Sequence, residues 1–256
     1  MRRSMTKYLL SVGLLSLGSL ALMPSCAENN SSLFVVGVLD INSTTCVAKP
    51  DTSSGFLAAG TLDLAFASSY SASVLVGNQL TQRGDRTQLR TETSRISLRG
   101  AEVTLTTLDG KALGNYSTVG TGFVDASSGD TPAYATMSVQ IIPSALAANP
   151  AVRAARVILA KIRVFGDTLG NTSVTSSELD FPINICEGCL VKYDVAGDPT
   201  ETTYKCPPAS ATTQTTDAEP CVRGQDLTFS CSSCAATYTL CRDPALNPSY
   251  APVATP

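Results

Sequence analysis

The chain contains no histidine and no tryptophan. Without histidine it lacks the commonest general base and the commonest metal ligand. Ser-His-Asp catalysis, Cys-His catalysis and the H-E-x-x-H zinc proteases are therefore excluded. Without tryptophan, any stacking on sugars falls to Tyr and Phe. No G-x-S-x-G, G-x-x-x-x-G-K or G-x-G-x-x-G string occurs, so there is no nucleophile elbow, phosphate loop or dinucleotide fingerprint. Charge is also scarce, at 15% of residues, and no basic block is present. That balance excludes nucleic acid as a partner. Abundant Ser and Thr suit exposed sheet faces better than charged helices.

What the chain has first is an export pattern. Arg2, Arg3 and Lys7 precede an uncharged stretch from Tyr8 to Ala27, interrupted by Ser11, Gly13, Ser16, Gly18 and Ser19. A secretory signal tolerates that polarity, whereas a stable bilayer span prefers a denser apolar run. The stretch closes on Met23-Pro24-Ser25-Cys26. It resembles a bacterial lipoprotein signal, in which a small residue precedes the cysteine that receives lipid. Met23 stands where Leu is usual and Pro24 where Ala or Ser is usual. The resemblance implies cleavage after residue 25, acylation of Cys26 and a lipid bilayer as the first partner. Several acyl chains hold far more firmly than one. Ala27, rather than Asp, follows the cysteine, which by the same resemblance points to the outer membrane of a bacterial envelope, on its periplasmic or its outer side. Two alternatives stay open: an uncleaved N-terminal anchor, and a plain secreted protein with Cys26 in a disulfide.

Removing residues 1–25 leaves 231 residues with 15 basic and 21 acidic side chains, enough for one large all-β domain or two smaller ones. Residues 26–32 read as a polar tether. From residue 33, period-two alternation predicts strands with one wet face. Phe34 to Leu39 is a compact β-branched run. The predicted inward faces are Leu62, Leu64 and Phe66; Tyr70, Ala72, Val74 and Val76; Ala101, Val103 and Leu105; and Met137, Val139 and Ile141. The clearest strands are 156–165, with Ile158, Ala160, Ile162 and Val164 inward, and 178–185, with Leu179, Phe181, Ile183 and Ile185 inward. Pro182 predicts an edge strand or a bulge there. A glycine-bounded hairpin loop is expected at 166–171, and weaker strands at Ile96–Leu98 and Phe123–Val124. Turns are expected at Arg83-Gly84-Asp85, Asp109-Gly110 and Ser128-Gly129-Asp130. Arg83-Gly84-Asp85 also matches the tripeptide read by integrins, and is read here as a turn. One helical turn is expected at 143–148, and residues 151–156 are expected to lead into a strand. About nine strands and no repeat resemble an immunoglobulin-like antiparallel β-sandwich over 33–185.

Seven of the nine cysteines fall in the next segment, a loop-rich module at 186–241: Cys186, Cys189, Cys206, Cys221, Cys231, Cys234 and Cys241. With Cys46 they make eight once Cys26 carries lipid, an even set suited to disulfides in an oxidising compartment. The intervening Pro, Thr and Ser bury little apolar surface, so cross-links would supply order that a core cannot. Because Cys186 follows the last core strand, at least one bridge is expected to join this module to the sandwich, with Cys46 the natural partner. Cys186-x-x-Cys189 and Cys231-x-x-Cys234 also have the spacing of a four-thiolate zinc site, and oxidation in an exported chain competes with it. Residues 242–256 form a Pro-rich tail, read as extended or disordered.

No cofactor or catalytic residue is assigned. The resemblance extends loosely, through Cys26 and the stretch from Phe181 to Val191, to cysteine-rich lipoproteins of myxobacteria and related bacteria, a class that implies no chemistry. The expectation is a membrane-anchored envelope lipoprotein with a non-catalytic structural or binding role toward an envelope protein or glycan. Two other readings remain. One is a carboxylate-based hydrolase of glycosidase type, drawing on Asp63, Asp85, Glu92, Glu102, Asp109, Asp125, Asp130, Asp167, Glu178 and Asp180. The other is an extracytoplasmic thiol-disulfide protein using Cys186 and Cys189.

Overall fold

Alternating sequence becomes two facing sheets. The computed structural model describes residues 32–84, 91–192 and 221–230. Its strands are β1 (Leu33–Leu39), β2 (Phe56–Leu57), β3 (Gly60–Asp63), β4 (Tyr70–Asn78), β5 (Ile96–Thr107), β6 (Ala112–Val124), β7 (Ala133–Ile142), β8 (Val157–Thr168), β9 (Ser173–Thr175), β10 (Leu179–Cys186), β11 (Val191–Lys192) and β12 (Phe229–Ser230). One sheet runs β2-β1-β4-β7 and the other β3-β10-β8-β5-β6, with β9 also paired to β8. The fold is an all-β sandwich. Its pairs are antiparallel except β10 with β3 and the two-residue pair β11 with β12.

The inward faces are those the alternation marks. Ala101, Val103 and Leu105 of β5, Ile158, Ala160, Ile162 and Val164 of β8, and Val139 and Ile141 of β7 are all fully buried. Between them the two inner faces form one apolar cluster. Truncating any one large member to alanine costs about 2–5 kcal/mol, because the close-packed interior cannot fully collapse onto the gap. Outward residues of β8 carry ion pairs: Lys161 Nζ to Glu178, just before β10, at 2.7 Å, and Arg163 to Glu178 at 3.6 Å and to Glu102 of β5 at 3.9 Å. These exposed pairs contribute roughly 0–1 kcal/mol each and mark a solvated face.

Several expectations are corrected. Residues 112–122, to which no strand is assigned from sequence, form most of β6. Its glycines and its half-exposed position remove the alternation that would have marked it. The sequences at 96–98 and 101–105 belong to one continuous strand, with a register shift between Leu98 and Gly100. Leu64 and Phe66 do not extend β3; the chain turns after Asp63. β10 is an interior strand between β3 and β8, not an edge. Pro182 is tolerated because pairing with β3 begins only at Ile183, so the missing N–H has no ladder partner to satisfy on that side. The β8–β9 hairpin turns at Leu169–Thr172, with Asn171 at φ 63, later than the glycine-bounded loop predicted. Helix α1 (Ser144–Ala147) is the expected single turn. Residues 150–154 form a second short helix, α2 (Pro150–Ala154), as helical propensity allows, and the chain leads from it into β8 at Val157. Asn149 caps it by accepting from the Ala151 N–H at 2.9 Å, and Pro150 takes the first helical position, where no N–H is needed.

The signal segment, Cys26, Cys206, Cys231, Cys234, Cys241, Asp85 and the 242–256 tail lie outside the described residues.

Candidate functional site

β3 is a strand of four residues at one edge of its sheet. A sheet edge exposes unpaired N–H and C=O groups. Residues 222–227 cover this one. Asp63 N–H donates to the Gly224 carbonyl at 2.9 Å, and Asp226 N–H donates to the Thr61 carbonyl at 3.0 Å. Leu62 and Gln225 form an isolated antiparallel bridge. A piece of the cysteine-rich region therefore acts as a surrogate edge strand of the sandwich.

Side chains reinforce the cover. The Asp226 carboxylate accepts from the Thr61 N–H at 2.8 Å. The Tyr70 hydroxyl lies 3.0 and 2.9 Å from its two oxygens and shares one O–H between them. Gln225 accepts from the Ser71 N–H at 2.7 Å. Tyr70 is fully buried, so its hydroxyl requires such a partner. Burial holds the Asp226 carboxyl above the ordinary carboxylate range, and the nearby Asp40 charge adds to this, against the lowering effect of the Thr61 and Tyr70 hydrogen bonds. Burial, then the Asp226 charge, raises Tyr70 in turn. Gly60 leaves room for this arrangement: a Cβ there would collide with the Tyr70 hydroxyl. Beside Asp226 is a cavity of about 30 Å³, lined by Leu39, Asp40, Leu57, Ala72, Cys221 and Asp226 among others.

Two disulfides flank β3. Cys46 pairs with Cys221, 175 positions away, with Cα atoms 5.3 Å apart. The bridge joining the cysteine-rich region to the sandwich thus runs through Cys221 rather than Cys186. Cys46 sits in a loop at φ 54, held by Asn42, whose carboxamide oxygen accepts from the Thr44 and Thr45 N–H groups at 2.9 Å. Cys186 pairs instead with Cys189.

Asp63 holds that second disulfide. Alternation places its side chain on a wet face, yet it is completely buried. One oxygen accepts from the Gly188 N–H at 2.6 Å and the Ala65 N–H at 3.1 Å; the other accepts from the Leu190 N–H at 2.9 Å. These bonds offset the loss of hydration of a buried carboxylate. They also fix the turn carrying Cys189, where Gly188 adopts φ +77. A carboxylate oxygen and the two sulfurs lie within 4.8 Å of one another. With the sulfurs bonded to each other, they are not the thiolates that a zinc site requires.

The remaining acids of the hydrolase reading are dispersed. Glu92 accepts from the N–H groups of Arg83, Gly84 and Ser94 at 3.0, 2.8 and 2.6 Å, closing the neck of a loop. Asp125 pairs with Arg95 at 2.9 Å and Asp167 with Arg99 at 3.2 Å. Asp109 takes the Thr107 hydroxyl, and Glu102, Glu178 and Asp180 join the ion pairs on the outer face. Asp226, Gln225 and the Tyr70 hydroxyl were not singled out from sequence. Only the demand of a core tyrosine for a polar partner pointed toward them.

A second surface feature is an open groove of about 510 Å³ between β6 and α1, lined by uncharged residues including Tyr116, Thr118, Val119, Gln140 and Leu146. No helix among the described residues is long and apolar enough to cross a membrane. The sequence matches no protein-family model and no curated protein.

Proposed function

We propose that the chain is exported, cleaved after residue 25 and anchored by acylated Cys26 in a bacterial envelope, in the outer membrane by the lipoprotein resemblance. It presents a non-catalytic sandwich with a structural or binding role toward an envelope protein or glycan. The supporting observation is the Cys46–Cys221 disulfide across 175 positions, a staple suited to an oxidising compartment. It fastens to the β1–β2 loop the segment whose residues 222–227 cover the β3 edge. The buried acids at this end support the same reading: Asp63 and Asp226 accept backbone and tyrosine donors that hold the chain in place.

Intact mass of the membrane-extracted protein, before and after reduction, tests the reading. The expected result is loss of residues 1–25, added acyl mass on Cys26 and the hydrogen gain of disulfide reduction. A full-length, unacylated polypeptide recovered from the cytosol with its cysteines reduced would end it.

A further inference from the structure

We infer that Cys186–Cys189 is a thiol–disulfide exchange pair acting on protein dithiols, whereas Cys46–Cys221 is a permanent staple. The inference adds an activity to the anchored scaffold, and its test is read at two specific peptides, independently of acylation.

Accessibility comes first. Cys189 is exposed and Cys186 half-buried, so an incoming thiolate approaches from the Cys189 side; Cys46 is likewise exposed and Cys221 half-buried, so access alone does not separate the two bridges, and the frame around them does. Exchange depends on which sulfur is accessible to attack. The frame around the pair does not depend on the S–S bond. Cys186 ends β10 opposite Asp63 in the β3 register, and its carbonyl accepts from the Leu64 N–H at 2.8 Å. On the other side, Asp63 holds the Gly188 and Leu190 N–H groups, which bracket Cys189. Both cysteines therefore remain in place when the bond opens, and the pair can be reduced without unfolding the sandwich.

The same frame selects the partner. When a thiolate bonds to the Cys189 sulfur, the Cys186–Cys189 bond breaks. Its electron pair leaves on the Cys186 sulfur, which takes a proton from solvent. A monothiol adduct at this point is expelled by the adjacent Cys186, since proximity favours the intramolecular return. A dithiol completes the step: its second thiolate bonds to its own first sulfur and releases Cys189, which is protonated. Two electrons pass to Cys186–Cys189, and the partner leaves as a disulfide. The partner class is thus a protein carrying two closely spaced thiols.

The test uses the mature chain with all its cysteines. The protein is incubated with a reduced Cys-x-x-Cys peptide or, at equal thiol concentration, with glutathione. It is then quenched with an alkylating reagent and mapped by peptide mass spectrometry. The expected result is reduction at Cys186 and Cys189 at least tenfold faster than at Cys46 and Cys221, with one peptide disulfide formed per pair reduced. Glutathione should be at least tenfold less effective than the peptide, and the far-ultraviolet circular dichroism should stay unchanged. Asp63→Asn leaves only one carboxamide oxygen to accept from the loop amides, so reoxidation of the reduced pair by added oxidised glutathione, itself reduced to two thiols, should slow several-fold. Equal reduction of both disulfides, loss of the fold on opening Cys186–Cys189, or equal action of glutathione and the dithiol would each overturn the inference. If Asp63→Asn fails to fold, the wild-type rates still decide it.

Discussion

Cys46–Cys221 joins positions 175 residues apart and meets the sandwich at the β1–β2 loop, whereas Cys186–Cys189 joins positions 3 apart beside β3. In the chain-entropy view, the long loop removes about 5 kcal/mol of freedom from the unfolded chain and the short one about 2 kcal/mol. The local order around them is reversed. The long-range bridge starts from an exposed loop at Cys46, with few anchors beyond Asn42. The short-range bridge stands on a fully buried carboxylate that accepts from three backbone N–H groups. One bridge makes order that the chain would lack; the other decorates order that hydrogen bonds already supply.

Removing each bridge tests that contrast directly. The double substitution Cys46→Ser, Cys221→Ser should give the largest loss, up to about 5 kcal/mol, in urea-unfolding free energy. Hydrogen exchange should show the 222–227 cover opening from β3 before the rest of the sheet. Asp63→Ala comes next, at about 3–4 kcal/mol, because it leaves buried N–H groups of Gly188 and Leu190 without an acceptor. Cys186→Ser with Cys189→Ser should cost about 2 kcal/mol or less, since Asp63 still holds the turn. If it instead matches the Cys46/Cys221 loss, the short bridge is structural and the contrast fails.

The same two bridges show how far the sequence was legible. The core faces of β4, β5, β7, β8 and β10 follow from alternation alone, because each strand buries one side against the other sheet. β6 did not follow. It is an edge strand with Gly114, Gly120 and Gly122 and much of its surface in water, so no face imposes a pattern. Asp63 was misread for the opposite reason: the period-two rule assigns a face, whereas its true surroundings come from Gly188 and Leu190, more than a hundred residues along the chain. The need for a link between Cys46 and the cysteine-rich region was readable from Cys186 following directly on the last core strand. Which cysteine answers it depends on where residues 222–227 lie against β3, and no local signal encodes that.

The smallest effect separates the two buried-acid anchors by pH. Asp226→Ala should cost about 2 kcal/mol, since it strands the Thr61 N–H and the Tyr70 hydroxyl. Asp226→Asn keeps an acceptor oxygen for both and should cost clearly less. Burial raises the Asp226 carboxyl above 3.8, its ordinary value. The folded state therefore holds that proton more tightly than the unfolded chain does. Its stabilising contribution is complete below pH 3.8 and is lost as pH rises through the raised value. Glu92 behaves oppositely. Desolvation opposes its ionisation, but the N–H donors of Gly84, Ser94 and Arg83 outweigh that and lower it from 4.5. Its contribution is present above pH 4.5 and disappears as pH falls through the lowered value. In urea titrations at stepped pH, the stability of wild type relative to Asp226→Asn should therefore increase toward acid, while that of wild type relative to Glu92→Gln should decrease. A flat Asp226→Asn difference from pH 3 to 7 would mean that folding leaves this carboxyl's hold on its proton unchanged, and that the cover over β3 is fastened by the Cys46–Cys221 bridge and the backbone ladder rather than by a neutral Asp226.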